Sequence, residues 1–167
     1  MNLDTSAIKS LRDSTGAGIM DCKKALEKAK GDLAEAQEIL KGKGVALAAK
    51  KADRQVTEGL IETYVHVGNR MGAIVEVNCE TDFVARTPEF KQLAHDLAMQ
   101  IAAMDPKFIG NEDLSDIPSE SPKETSLLQQ LYIKDPSMSI QDLVNEVVGK
   151  VGENIRIRRF SRFLLGE

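Results

Sequence analysis

The 167-residue sequence contains no tryptophan, two histidines and two cysteines, and aromatic residues make up only 4% of it. So few rings leave little to stack on the bases of single-stranded nucleic acid. Cys22 and Cys79 lie far apart, which argues against a disulfide framework or a cysteine-ligated zinc site. A net charge of −4 argues against a general polyphosphate binder, and no direct contact with nucleic acid is expected. No apolar run approaches the length that spans a bilayer. Met1-Asn2-Leu3-Asp4 lacks the basic and apolar regions of a signal peptide. No membrane association and a cytoplasmic or organellar-matrix location are therefore expected. What is present, 42% apolar and 29% charged residues, is the balance of a soluble globular protein with one or two domains.

Charge is uneven along the chain. Residues 1–58 carry a net +2, residues 59–150 a net −8 and residues 151–167 a net +2. A mildly basic head thus precedes an acidic body whose end is basic, and for most of these charges simple solvation is explanation enough.

The head, residues 1–45, reads as three short helices. Asp4 or Thr5 can cap the first, with Ile8 and Leu11 on one face. Thr15-Gly16-Ala17-Gly18 breaks it. Ile19, Cys22, Leu26 and Ala29 are spaced as the stripe of a second helix, closed by Gly31. Asp32 with Glu35 looks like a capping box for the third, whose stripe is Leu33, Ala36, Ile39 and Leu40. The size and spacing resemble a ubiquitin-associated-type three-helix domain. Gly42 and Gly44 read as a hinge, and the Ala-rich stretch after them as a linker helix over 46–56 with little to pack.

The body, residues 57–167, reads as a small antiparallel three-stranded sheet packed with helices on one side, so the fold class is α+β. Residues 60–67 and 73–79 alternate with period two around a turn-like 68–72, as a hairpin does. In the first strand Ile61, Thr63, Val65 and Val67 share one face. Thr87 as N-cap and Pro88 at the first position begin the clearest helix, with Phe90, Leu93, Ala94, Leu97, Ala98, Ile101 and Ala102 as its stripe. Residues 105–125, rich in Pro and acidic residues, read as an irregular excursion to which no function is given. A further helix is expected over Ser139–Lys150. A third strand follows over 154–164, with Ile155 and Ile157 inward, Arg156 and Arg158 outward, and a bulge at Arg158-Arg159.

Thr81-Asp82-Phe83-Val84 falls in the joint between the second strand and the long helix. Two roles fit Phe83: a plug in the protein's own core, the commoner fate of a lone Phe at a junction, or an apolar side chain held out beside a carboxylate to wedge into a partner. No catalytic set stands out. Cys79 and His66 on neighbouring strands could in principle form a nucleophile–base pair, although a small inward Cys is usually core filler. Thr15–Gly18 lacks the preceding strand and the spacing of a phosphate loop. Glu80 and Asp82 have no further ligands at metal-binding spacing. The chain is expected to hold no metal, nucleotide or other cofactor of its own and not to be an enzyme. Met20, off the bundle-facing stripe, is a candidate contact for another protein's helix. On these residues alone, a generic adaptor using its head to bind peptides or ubiquitin-like partners remains a reading.

Three segments then resemble one family. Thr15-Gly-Ala-Gly-Ile-Met-Asp-Cys-Lys-Lys-Ala-Leu26 and Glu76-Val-Asn-Cys-Glu-Thr-Asp-Phe-Val-Ala85 are similar to the two signatures of translation elongation factor Ts. Gly152-Glu-Asn-Ile155 with Arg158-Arg159 resembles a further block of it, and the order is the family's. The resemblance implies a guanine-nucleotide exchange factor that binds elongation factor Tu and promotes GDP release. It implies that Thr81, Asp82, Phe83 and Val84 enter the partner's nucleotide-binding domain and dislodge its Mg²⁺. It further implies that Arg12, Ile19 and Met20 grip another helix of that domain. Longer family members carry two core subdomains and this chain has room for one, so it resembles the short forms. A homodimer engaging two partner molecules, a 2:2 complex, is the expectation.

Overall fold

The computed structural model describes residues 5–110 and 121–167. Asp4, the alternative cap of the first helix, and residues 111–120 of the 105–125 excursion lie outside them. The head begins with α1 (Thr5–Thr15) and α2 (Ile19–Lys28). Lys30 and Gly31, both at positive φ, end the second helix, with the Gly31 N–H donating back to the Leu26 carbonyl. Asp32 then caps α3 (Leu33–Lys51) by accepting the Glu35 N–H at 2.8 Å. Leu11, Cys22, Ala25, Leu26, Ala29 and Ala36 form a small core of their own.

The expected hinge at Gly42 and Gly44 is not there. The third head helix and the connecting helix are one 19-residue α3. The reason is packing: a Cβ on Gly44 would come 3.0 Å from the Asn145 carbonyl oxygen, and one on Gly149 would come 3.2 Å from the Gly44 Cα. The glycines let two helix backbones approach, and that contact outweighs their poor helix propensity of about 1 kcal/mol each. Nor is the Ala-rich half free of packing, since Leu47 and Ala48 lie against the body's core.

The body is built on a three-stranded antiparallel sheet ordered β1 (Glu58–Val65), β2 (Met71–Cys79), β5 (Ile155–Leu164). In the register, Leu60 faces Val77 and Tyr64 faces Ala73 across the first pair, and Val77 faces Ile157 across the second. The partner of Glu76 is Arg159, so Arg158 is the extra residue of a bulge, where the sequence pattern slips. Ala73, Val75, Val77 and Cys79 are buried beneath α5 (Pro88–Met104), which α7 (Ile140–Val151) covers in turn, and α3 packs on α7. The row of Ile61, Thr63 and Val65 faces out, with Ile61, Val65, Ile74 and Phe163 exposed on the sheet's other side, and Val67 lies beyond the end of β1 in the turn. Alternation alone cannot say which face of a strand is covered.

A second, two-stranded sheet was not foreseen. After α6 (Pro122–Thr125) and a 3-10 turn at Leu127–Gln129, β3 (Leu131–Tyr132) pairs with β4 (Asp135–Ser139). Buried side-chain amides hold it. Gln100 accepts the Ile133 N–H at 2.9 Å and donates to the Leu131 carbonyl at 3.1 Å, and Gln130 donates to the Met104 and Glu124 carbonyls. Ser139 and Asp142 form a reciprocal capping box at the start of α7.

Candidate partner-binding site

The central strand ends at Cys79, and two helix caps follow in quick succession. Thr81, extended at φ −129° and ψ 154°, caps the four-residue α4 (Asp82–Ala85) by accepting the Val84 N–H. Thr87 caps α5 by accepting the Phe90 N–H at 3.3 Å and donates to the Val84 carbonyl at 2.8 Å. Between the caps, Val84 and Ala85 pack into the core and Phe83 does not. Its side chain is 78% exposed. The core-plug reading of Phe83 therefore fails: Val84 is the plug, and the rotation of about 100° from one helical residue to the next carries Phe83 off the buried face. Asp82 pairs with Arg86 one turn on, at 2.7 Å and in the open, where such a pair contributes little and is easily exchanged for another.

The base of this joint is tied to a distant part of the chain. Gly152, at φ 74°, ends α7 in the left-handed conformation that suits glycine. The Glu153 carboxylate then accepts three donors: the Glu80 N–H at 3.1 Å, the Thr81 N–H at 3.0 Å and the Thr81 hydroxyl at 2.7 Å. In return Glu80 accepts the Asn154 N–H at 2.7 Å and pairs with Arg54 at 3.3 Å. The Asn154 N–H, with Arg54 beside it, holds the Glu80 carboxyl below its ordinary value. The Asn154 amide donates to the carbonyls of Ala52 and Arg54, and Lys51 donates to that of Gly152. The end of α3, the start of β5 and the end of β2 thus meet in one hydrogen-bonded junction.

Nothing nucleophilic is assembled there. The Cys79 thiol donates to the Thr81 carbonyl at 3.1 Å, and burial, with Glu153 nearby, pushes it up to about 11. It is a thiol at neutral pH, not the reactive thiolate. Cys79 pairs with Glu58 at one end of the hairpin, whereas His66 sits at the other, beside Met71 and hydrogen-bonded to the Tyr64 hydroxyl. The conceivable Cys79–His66 pair is excluded by register. Among the described residues no group of three His, Cys, Asp or Glu could hold a metal ion, and no helix is long and apolar enough to cross a membrane.

The head carries the second cluster. Thr15 and Ala17 bridge α1 and α2 through a turn in which the Thr15 hydroxyl donates to the Leu11 carbonyl at 2.6 Å. Arg12 lies exposed on one side of that turn, and Ile19 and Met20, 54% and 61% exposed, lie on the other. The structure does not bring them to Phe83. They lie beside the middle of α3, where Asp21, next to Met20, pairs with Lys43, and Gly16 of the same turn lies against the Lys150 side chain near the end of α7. Glu153, Asn154, Glu80 and Arg54 were missed as site residues. Glu80 stood in the second signature, and Glu153 and Asn154 in the Gly152–Ile155 block, but none of them carried a positioning role there, and Arg54 had no signal at all.

Comparison with known proteins agrees over the full length. The family model "Elongation factor TS" matches residues 34–123. The chain is 46% identical to an elongation factor Ts of Carboxydothermus hydrogenoformans, covering 99% of this chain and 90% of that protein. It is 45% identical to one of Thermotoga neapolitana, with 100% and 99% covered. A Synechococcus relative is 46% identical, with 100% of this chain and 70% of the relative covered. On these matches the chain belongs to the elongation factor Ts family.

Proposed function

We propose that this protein is the guanine-nucleotide exchange factor of elongation factor Tu, making and breaking no covalent bond itself. The observation that carries the proposal is the exposure of Phe83, a 78% exposed aromatic on a joint fixed by Glu153 from the other side of the junction. An exposed aromatic on a pre-set backbone loses little freedom on docking, and so suits a wedge. Phe83 would insert between apolar elements of the partner's nucleotide-binding domain. Asp82 would leave Arg86 and disturb the groups and waters around the partner's Mg²⁺. Loss of that ion removes the largest positive charge on the GDP phosphates, and the nucleotide leaves faster. Thr81 and Val84 serve the same act as the cap and the anchor of the turn. Arg12, Ile19 and Met20 hold another helix of the same domain. By linkage, tighter binding to nucleotide-free partner weakens GDP binding by the same factor.

The test is release of fluorescent GDP from elongation factor Tu with the protein in substoichiometric amounts. Acceleration through many turnovers is expected, and a release rate equal to that of elongation factor Tu alone rejects the proposal.

We also propose that two copies pair and engage two partner molecules. The bare sheet face with Ile61, Val65, Ile74 and Phe163 is the surface two copies would bury against each other. Sedimentation at micromolar concentration should give a dimer mass, and Phe163→Asp should shift it to monomer. A monomeric mass for the unaltered protein contradicts the pairing.

A further inference from the structure

The contacts around Thr81 are concentrated in one side chain. A carboxylate that accepts two consecutive backbone N–H groups and the hydroxyl of the same residue fixes the chain direction at that point. Glu153 does this at Glu80 and Thr81, the last two residues before Asp82 and Phe83. The bond to the Thr81 hydroxyl also orients its oxygen to receive the Val84 N–H, which closes the turn that carries Phe83. The anchoring is reciprocal, because Glu80 accepts the N–H of Asn154, the residue after Glu153. Phe83 itself makes no core contact, so the angle at which it stands out is set from this base. The base is joined to α3 through Asn154 and Lys51.

We propose that Glu153 is the positioning residue of the exchange reaction: it touches no nucleotide and acts by holding the Asp82–Phe83 turn at its working angle. This rests on the exchange reading given above and adds to it the residue that aims the wedge. What matters is then the reach of the side chain more than its charge. Gln at 153 keeps the length, and its carbonyl oxygen can accept both N–H groups while its amide donates to the Thr81 oxygen. Asp keeps the charge but is one methylene too short to reach both residues.

The test compares Glu153→Gln and Glu153→Asp in two measurements. The first is amide hydrogen exchange of the whole protein, which needs no partner. Asp should raise exchange of the amides at residues 80–84 while β2 and α5 keep theirs, and Gln should stay close to the unaltered protein. The second is GDP release from elongation factor Tu. Asp should lower the maximal rate by roughly tenfold or more, as expected for a misaimed contact, with the half-saturating concentration little changed because the head contact is intact. Gln should restore most of the rate. In a Phe83→Ala background the Asp change should cost nothing further. Unchanged protection at 80–84 in the Asp variant overturns the inference, as does a loss that adds fully to that of Phe83→Ala. A loss in Gln equal to that in Asp overturns it too. If the unaltered protein fails to speed release, the exchange reading falls with the functional half of the inference, whereas the amide measurement still decides whether Glu153 holds the turn.

Discussion

The two exposed apolar groups proposed to meet the partner are mounted in opposite ways. Ile19 and Met20 project from the first turn of α2, whose N-cap Gly18 makes no side-chain cap bond and whose support is a core of six small or medium residues. Phe83 projects from a four-residue turn bounded by two threonine caps and tied by Glu153 to residues more than seventy positions away. A side chain that only grips can tolerate some play, because affinity survives small adjustments. One that must displace groups in a partner needs a fixed angle, because force without aim is lost in side-chain rearrangement. The difference in mounting matches the difference in proposed task.

The largest effect that separates the two regions is in stability. Leu26 and Leu97 are both fully buried, so truncating either to Ala should cost about 2–5 kcal/mol. The consequences should differ. Leu26→Ala should free the amides of α1 and α2 to exchange while β2 and α5 stay protected, whereas Leu97→Ala should lower protection throughout the body. Equal loss everywhere in both variants would mean that the head has no separate core. Next in size is the grip itself. Ile19→Ala with Met20→Ala should raise the half-saturating concentration for GDP release by about tenfold and leave the maximal rate within about twofold, a typical cost for exposed contact residues. A fall in the maximal rate instead would erase the division of labour.

Acid gives the smallest and most local separation. The Glu80 carboxyl is held below its ordinary 4.5 by the Asn154 N–H and Arg54. Its contribution to stability is therefore present above that value and is lost as the pH falls through the lower, folded one. Below about pH 4.5 amide protection at residues 80–84 should drop while that at the start of α2 is unaffected by this group. Glu80→Gln should remove the pH dependence of the difference. Protection at 80–84 that follows the same pH curve in both proteins would assign the drop to other carboxylates.

Much of the frame was legible because its signals are local. The stripe from Phe90 to Ala102 with Thr87-Pro88 before it marks α5, Ser139 marks the start of α7, and the slipped alternation at Arg158-Arg159 marks the bulge. What was not legible depends on partners far away in sequence. Gly42 and Gly44 read as a break because propensity is local, but α7 lies against Gly44 and rewards its missing side chain. The β3–β4 hairpin has too few residues to show a period and is held by the buried amides of Gln100 and Gln130. At the candidate site, a Phe at a joint carries no sign of which way it points. Family resemblance supplied a role for Thr81–Val84, the folded joint shows the outward side chain, and neither Glu153 nor Asn154 could be paired with the joint from the chain alone.

The wedge itself is tested most directly by rapid mixing of GDP-loaded elongation factor Tu with increasing amounts of the unaltered protein and of Phe83→Ala. Because Phe83 contributes nothing to the core, the variant should keep its unfolding midpoint within about 0.5 kcal/mol and should still bind. Its release rate at saturation should nevertheless fall by roughly thirtyfold or more, toward that of elongation factor Tu alone. An unchanged saturating rate with only a higher half-saturating concentration would make Phe83 one more grip and contradict the wedge.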